Sequence, residues 1–214
     1  AGLTISSTGT VTLDATTGGI SGSGAATVNA DDGLVINDNF TAAGNLTLDG
    51  DADNATDTND KLTLATGITL TSTSTGVLTL NATTGGIEAA GALTLNSNDG
   101  MSIVDNLTSI GTGTITIDTD VNNDGIGGFD LAAGKTITTN NNDLSITNEN
   151  FQLNSTGIIN AGTGDMTLAI SVTGNVGLGD ATCGGTCDMG ISGAELQNIT
   201  ANNLTISSAA SAGS

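Results

Sequence analysis

The sequence predicts an all-β chain wound as a parallel β-helix. Three observations carry that expectation: a long internal repeat, a strand motif of period two, and a composition without the large side chains of a globular core. Residues 7–44 and 74–111 align without a gap at an offset of 67, with 22 of 38 positions identical. After a two-residue insertion the match resumes at an offset of 69, where Leu46-Thr47-Leu48-Asp49 falls on Ile115-Thr116-Ile117-Asp118. Leu62 and Ile68 then fall on Leu131 and Ile137, so the long repeats cover 7–70 and 74–139. Self-similarity of this kind marks a stacked architecture in which each unit covers its neighbour's apolar face.

The strand motif is an apolar residue, Thr or Ser, and a second apolar residue, followed by Asn, Asp, Gly or Ala. It appears at Leu3-Thr4-Ile5, Val11-Thr12-Leu13, Ala26-Thr27-Val28, Leu46-Thr47-Leu48 and Leu62-Thr63-Leu64. It continues at Leu78-Thr79-Leu80, Leu93-Thr94-Leu95, Ile115-Thr116-Ile117, Leu144-Ser145-Ile146, Met166-Thr167-Leu168 and Leu204-Thr205-Ile206. Period-two alternation points the apolar residues one way and the hydroxyls the other. Helix is not expected, because nothing sustains a 3.6-residue period and Thr, Asn and Gly are poor helix formers. Leu93, Ile115, Ile137 and Ile159 recur at intervals of 22, which predicts rungs of roughly 20–23 residues. On that spacing the chain makes about ten rungs, the long repeat about three, and the body is on the order of 50 Å long. Gly18-Gly19 and Gly85-Gly86 mark matching bends, where glycine takes positive φ at little cost. Asn at bends tolerates the left-handed region and can ladder between rungs. The absence of Pro fits strands that each need every ladder donor.

Composition excludes several classes. Trp, Tyr and His are absent and Phe occurs only at positions 40, 129 and 151, so the interior must be narrow and filled by Leu, Ile, Val and Ala. Only two residues are basic against 22 acidic ones, a formal charge of −20. Nucleic acid and anionic membrane surfaces both demand positive charge, so neither is an expected partner. No apolar run approaches the roughly 20 residues that span a bilayer, so membrane insertion is not expected. A disordered Gly/Ser/Thr-rich chain is the alternative, and the clustered recurrence of Leu, Ile and Val argues against it. The whole of 1–214 reads as a single β-helix segment of a longer chain, with a Cys-containing loop at 180–190.

Two motifs suggest chemistry. Asp118, Asp120, Asn122, Asp124 and Asp130 lie in DTDVNNDGIGGFD, whose D-x-N-x-D-G run copies the first half of a helix–loop–helix calcium loop. The second half fails, since Leu131 stands where a bidentate carboxylate belongs. The matching insert of the first long repeat (Asp49, Asp51, Asp53, Asn54, Asp57 and Asp60) is also rich in hard oxygen donors. Ca²⁺ is the one candidate cofactor, set against a solvated acidic bulge at both inserts. Cys183-Gly184-Gly185-Thr186-Cys187 suits a short disulfide in an oxidising compartment, against a pair of reduced thiols, and two cysteines without histidine cannot complete a zinc site. The T-x-T pairs Thr10/Thr12, Thr69/Thr71, Thr114/Thr116 and Thr136/Thr138 are scattered, which argues for outward strand propensity over an ice-binding plane. Lys61 and Lys135 are the only basic groups, and no carboxylate pair stands out for glycoside hydrolysis, so no catalytic residue is assigned.

The strings STGTVTLDATTGGISGSGAATVNADDG and STGVLTLNATTGGIEAAGALTLNSNDG, with GAELQNITANNLTI at 193–206, resemble the secreted filamentous haemagglutinin family of bacterial adhesins. The resemblance implies a right-handed parallel β-helix, export by two-partner secretion and display on the surface of a Gram-negative bacterium. It implies no catalytic residues. The expected function is a non-enzymatic extracellular structural or adhesive fibre segment whose partners are a host or neighbouring-cell surface or a polysaccharide matrix. Two alternatives stand beside it. One is a self-assembling filament or surface-layer subunit, joined end to end or bridged by calcium; the other is a polysaccharide-degrading β-helix.

Overall fold

The computed structural model describes residues 2–56, 59–154, 156–179 and 187–208. The chain is a parallel β-helix with three strands to the turn. The first turn holds β1 (Leu3–Ser7), β2 (Val11–Leu13) and β3 (Ile20–Gly22), and the second β4 (Ala26–Ala30), β5 (Leu34–Ile36) and β6 (Phe40–Ala42). Next come β7 (Leu46–Asp49), β8 (Leu62–Leu64) and β9 (Ile68–Ser72), then β10 (Leu78–Asn81), β11 (Ile87–Ala89) and β12 (Leu93–Ser97). The fifth and sixth turns are β13 (Met101–Ile103), β14 (Leu107–Ser109), β15 (Ile115–Asp118), and β16 (Gly128–Leu131), β17 (Thr136–Thr138), β18 (Leu144–Asn148). The seventh is β19 (Asn150–Leu153), β20 (Ile158–Asn160) and β21 (Met166–Ile170). The last turn departs from the pattern. A separate parallel pair, β22 (Val176–Gly179) and β23 (Met189–Ser192), precedes α1 (Gly193–Gln197), β24 (Ile199–Thr200) and β25 (Leu204–Ser208).

Through β21 every third strand pairs in parallel, and β24 and β25 extend two of the three sheets so formed, which run β1 to β19, β2 to β24 and β3 to β25. The alternation read from sequence is the alternation of burial, with Leu46, Leu48, Leu78 and Leu80 buried and Thr47 and Thr79 facing outward. Columns follow from register. In the first sheet Leu46, Leu78, Met101, Phe129 and Phe151 stack in one file, and Leu48, Leu80, Ile103, Leu131 and Leu153 in the next. Each such side chain withdrawn from water contributes about 1.5–3 kcal/mol, and the files leave the interior lined by apolar groups. The outer strands β1 and β25 are only half covered.

Three expectations need correction. The sheets hold seven or eight strands, so the described residues make eight levels rather than ten, a stack of about 34 Å at 4.8 Å per level. The reason is uneven turn length: the first-sheet column advances 20 residues from Ala26 to Leu46 but 32 from Leu46 to Leu78. The 22-residue series also mixes two sheets. Leu93 pairs with Ile115 in the third sheet and Ile137 with Ile159 in the second, but Ile115 pairs with Leu144. Finally, helix does occur. Ser192 and Glu195 form a reciprocal capping box that opens α1, with Glu195 N–H donating to Ser192 Oγ at 3.1 Å and Ser192 N–H to Glu195 Oε2 at 2.8 Å. The other oxygen of Glu195 accepts the N–H of Leu153 at 3.1 Å, covering the last strand of the first sheet.

The long repeat is not a whole number of turns. It carries β2 onto β10 and β9 onto β17, a step of eight strands, so each repeated segment lands one sheet over from its counterpart. The matching Gly-Gly bends show this. Gly19 and Gly86 have φ of 73° and 74°, but the first leads into the third sheet and the second into the second. The local contact is kept: Ile20 N–H meets Asn39 O at 2.7 Å and Ile87 N–H meets Asn106 O at 2.8 Å.

Asn at the bends acts differently from an amide ladder. Among the described residues, five of the six non-glycine residues at positive φ are Asn, as expected. Elsewhere their side-chain oxygens accept backbone N–H groups one turn away: Asn39 from Thr69 at 2.7 Å, Asn45 from Val77 at 3.1 Å, Asn106 from Thr136 at 2.9 Å and Asn142 from Gly113 at 3.0 Å. Corners, where strand pairing lapses, thereby keep their donors satisfied.

Candidate functional site

The two acidic inserts connect β7 to β8 (sequence positions 50–61) and β15 to β16 (119–127). Both are closed at the neck by a glycine with no room for a side chain. A Cβ on Gly50 would lie 2.5 Å from Lys61 O, and one on Gly127 would lie 2.2 Å from Thr119 O.

In the second insert the acids serve the loop itself. Asp120 is completely buried and accepts three bonds, from Asp124 N–H at 3.1 Å, Gly125 N–H at 3.1 Å and Ser171 Oγ at 2.6 Å. Asp118 accepts Asp120 N–H at 3.2 Å, and Asp124 accepts Ile126 N–H at 3.0 Å and Asn122 Nδ2 at 2.8 Å. Asp130 sits on β16 and accepts a bond from Asn154 of the next turn. The loop thus gathers Asp118, Asp120, Asn122 and Asp124 by their own hydrogen bonds, and Asp130 bonds elsewhere. Burial holds the Asp118 carboxyl above its ordinary range, with the Asp120 charge adding to the rise and the Asp120 N–H opposing it. Glu149 is raised as well, first by burial and then by the charges of Asp120 and Asp188.

The first insert faces a different environment. Asp49 accepts Asp51 N–H at 3.1 Å and Asn81 Nδ2 at 2.9 Å, and Asp53 accepts Ala55 N–H at 3.0 Å. Asp51 and Asp60 are buried and turn toward Thr84 of the following turn. Asp57 lies outside the described residues. Thr84 is also part of the wall of a polar cleft of about 340 Å³ that contains both lysines of the chain, Glu88 and Asp105. Lys61 Nζ bonds Glu88 at 2.8 Å, and Lys135 Nζ bonds the buried Asp105 at 2.5 Å.

Sequence reading missed this cleft. It names Lys61 and Lys135 only as the two basic groups, yet Leu62, Ile87, Leu107 and Ile137 form one column of the second sheet. Lys61 precedes the first member and Lys135 lies just before the last, so stacking brings them to one face. The signal was present only as position relative to a column. Among the described residues no three His, Cys, Asp or Glu side chains are grouped as a metal site, so any cation would also need hydroxyl or carbonyl donors.

The remaining motifs are resolved by placement. Thr69/Thr71 lie on β9 and Thr136/Thr138 on β17 in different sheets, while Thr10 and Thr114 precede their strands, so no plane repeats the pairs. Cys187 borders the described region and Cys183 lies outside it. No helix among the described residues is long and apolar enough to cross a membrane. Comparison with protein-family models, curated proteins and solved structures finds no match for this chain.

Proposed function

We propose that this chain is a non-enzymatic structural segment of an extracellular fibre, the stalk of a surface adhesin that holds a binding tip away from the cell. The observation that carries the reading is the continuity of the three sheets: strands in successive turns pair by hydrogen bonds along the coil, around apolar files. Load along such an axis is shared by many parallel bonds. A charge of −20 keeps neighbouring fibres apart and soluble. Both lysines of the cleft are engaged in ion pairs, which favours a structural over a catalytic use of that face. On this reading the fibre is secreted to the surface of a Gram-negative bacterium. It meets a host or neighbouring-cell surface or a polysaccharide matrix, and a Cys183–Cys187 bridge belongs to that oxidising setting.

Atomic-force pulling on the chain held by its two ends tests the proposal, with a reducing-end assay on acidic and neutral polysaccharides in parallel. A stiff body that ruptures at high force, without release of sugar ends, is the expected result. Extension at low force, or turnover that disappears in Asp105→Asn, overturns it.

A further inference from the structure

The first insert buries two carboxyl groups around a hydroxyl that cannot serve both. Thr84 Oγ1 lies 2.8 Å from Asp51 Oδ2, 2.8 Å from Asp60 Oδ2 and 3.3 Å from the carbonyl oxygen of Ala55. A hydroxyl has one proton, so it donates to one of these oxygens and meets the others with its lone pairs. The Thr84 N–H adds a second donor, again to Asp51 Oδ2, at 2.7 Å. The other oxygen of Asp51 has no hydrogen-bond partner, although Asp51 is completely buried. By contrast Asp120, the buried acid of the second insert, has donors on both oxygens. A buried carboxylate oxygen left without a donor is costly, and no described side chain brings a positive charge to Asp51. Lys61, next in sequence to Asp60, spends its ammonium on Glu88.

We infer that Asp51, Asp60, the Thr84 hydroxyl and the Ala55 carbonyl hold one divalent cation of the calcium class. All four donors are hard oxygens, the set that Ca²⁺ takes, with water completing six to eight ligands. The fold builds the place deliberately at one glycine. A Cβ on Gly85 would lie 2.1 Å from Asp60 O, so only glycine lets the segment bearing Asp60 lie against the turn bearing Thr84. Thr84 is itself exposed and also lines the polar cleft. Asp51 and Asp60 stand at opposite ends of the insert, so the ion ties both ends to the next turn. The inference holds whether or not the chain serves as a stalk.

The test is calorimetric titration of the chelator-treated chain with calcium chloride, with the thermal midpoint read alongside. One ion per chain and a raised midpoint are expected. Asp51→Asn should weaken binding at least tenfold, and Asp124→Asn, in the other insert, should leave it unchanged. Should Asp51→Asn fail to fold, Thr84→Val keeps both carboxyls and a β-branched side chain, and it should also weaken binding at least tenfold. No binding at millimolar calcium, wild-type affinity in Thr84→Val, or loss of binding in Asp124→Asn would each overturn the proposal. So would uptake of a single proton in place of calcium.

Discussion

Phe129 and Phe151 stack ring on ring across neighbouring turns, with centroids 5.6 Å apart and planes 12° apart. They occupy one file of the first sheet, above Met101, and both are buried. A stacked pair adds about 0.5–1.5 kcal/mol to what burial alone gives. Phe151→Ala should therefore cost about 3–5 kcal/mol, whereas Phe151→Leu, which fits the Leu-rich file, should cost about 1 kcal/mol. Urea denaturation followed by circular dichroism checks both, and equal losses would mean that the file tolerates no repacking.

Asp120 is the anchor of the second insert. Asp120→Ala leaves two backbone N–H groups and the Ser171 hydroxyl without their acceptor and should destabilise the chain by about 3 kcal/mol or more. Ser171→Ala removes one short bond and should cost about 1–2 kcal/mol. Hydrogen exchange gives a local readout: the Asp124 and Gly125 amides should lose protection in Asp120→Ala and largely keep it in Ser171→Ala.

The two ion pairs of the cleft should respond unequally. Lys135 serves a carboxylate whose side chain is 5% exposed, while the Lys61–Glu88 pair is half open to water on the lysine side. Lys135→Met strands the Asp105 charge in the interior and should cost about 2–3 kcal/mol. Lys61→Met should cost less than about 1 kcal/mol. Denaturation midpoints measured at low and high salt separate them, since only the exposed pair is strongly screened.

Acid should act in opposite directions at different carboxyls. Asp118 and Glu149 have folded values raised chiefly by burial, so between the ordinary and the raised value the folded chain holds more protons than the unfolded one. Stability from these groups therefore falls as pH rises through that window. Asp118→Asn keeps the acceptor for Asp120 N–H and removes the buried charge, so it should raise the melting temperature at pH 7. The gain should shrink as pH falls through the raised value, where the wild-type acid takes up its own proton. Asp165 runs the other way, lowered by the side chains of Asn202 and Asn203, which donate to it at 2.9 Å. Its contribution is present above the ordinary aspartate range and lost as pH falls through the lowered value. Melting curves of Asp118→Asn and of the Asn202→Ala/Asn203→Ala pair across pH 3–8 check both signs.

The inward and outward faces of most strands were legible because side chains alternate with a fixed period of two. Leu46-Thr47-Leu48 can be read without any partner strand. The capping box at Ser192 and Glu195 was legible in principle, as a Ser three residues before a Glu, but the low helix propensity of the rest of the chain masked it. The acidic inserts were legible as places where hard oxygen donors collect. The division of labour among the acids was not, because it depends on which donors surround each one. Asp120 is answered by Ser171, 51 residues away, whereas Asp51 is left with one oxygen unanswered.

Apolar alternation, the scarcity of aromatics, the absence of proline and the long repeat together specify a coil of short parallel strands and admit little else. Which sheet each strand joins is settled by the stacking of turns. All three sheets ask for the same apolar–hydroxyl–apolar pattern, so a repeated segment is equally at home on any of them. The choice falls to the lengths of the intervening bends and inserts, which shift the second copy of the repeat by one sheet. That register also brings Lys61 and Lys135 into one cleft, and it sets Asp51 and Asp60 on either side of Thr84. Such neighbours belong to adjoining turns, and stacking, not spacing along the chain, makes them meet.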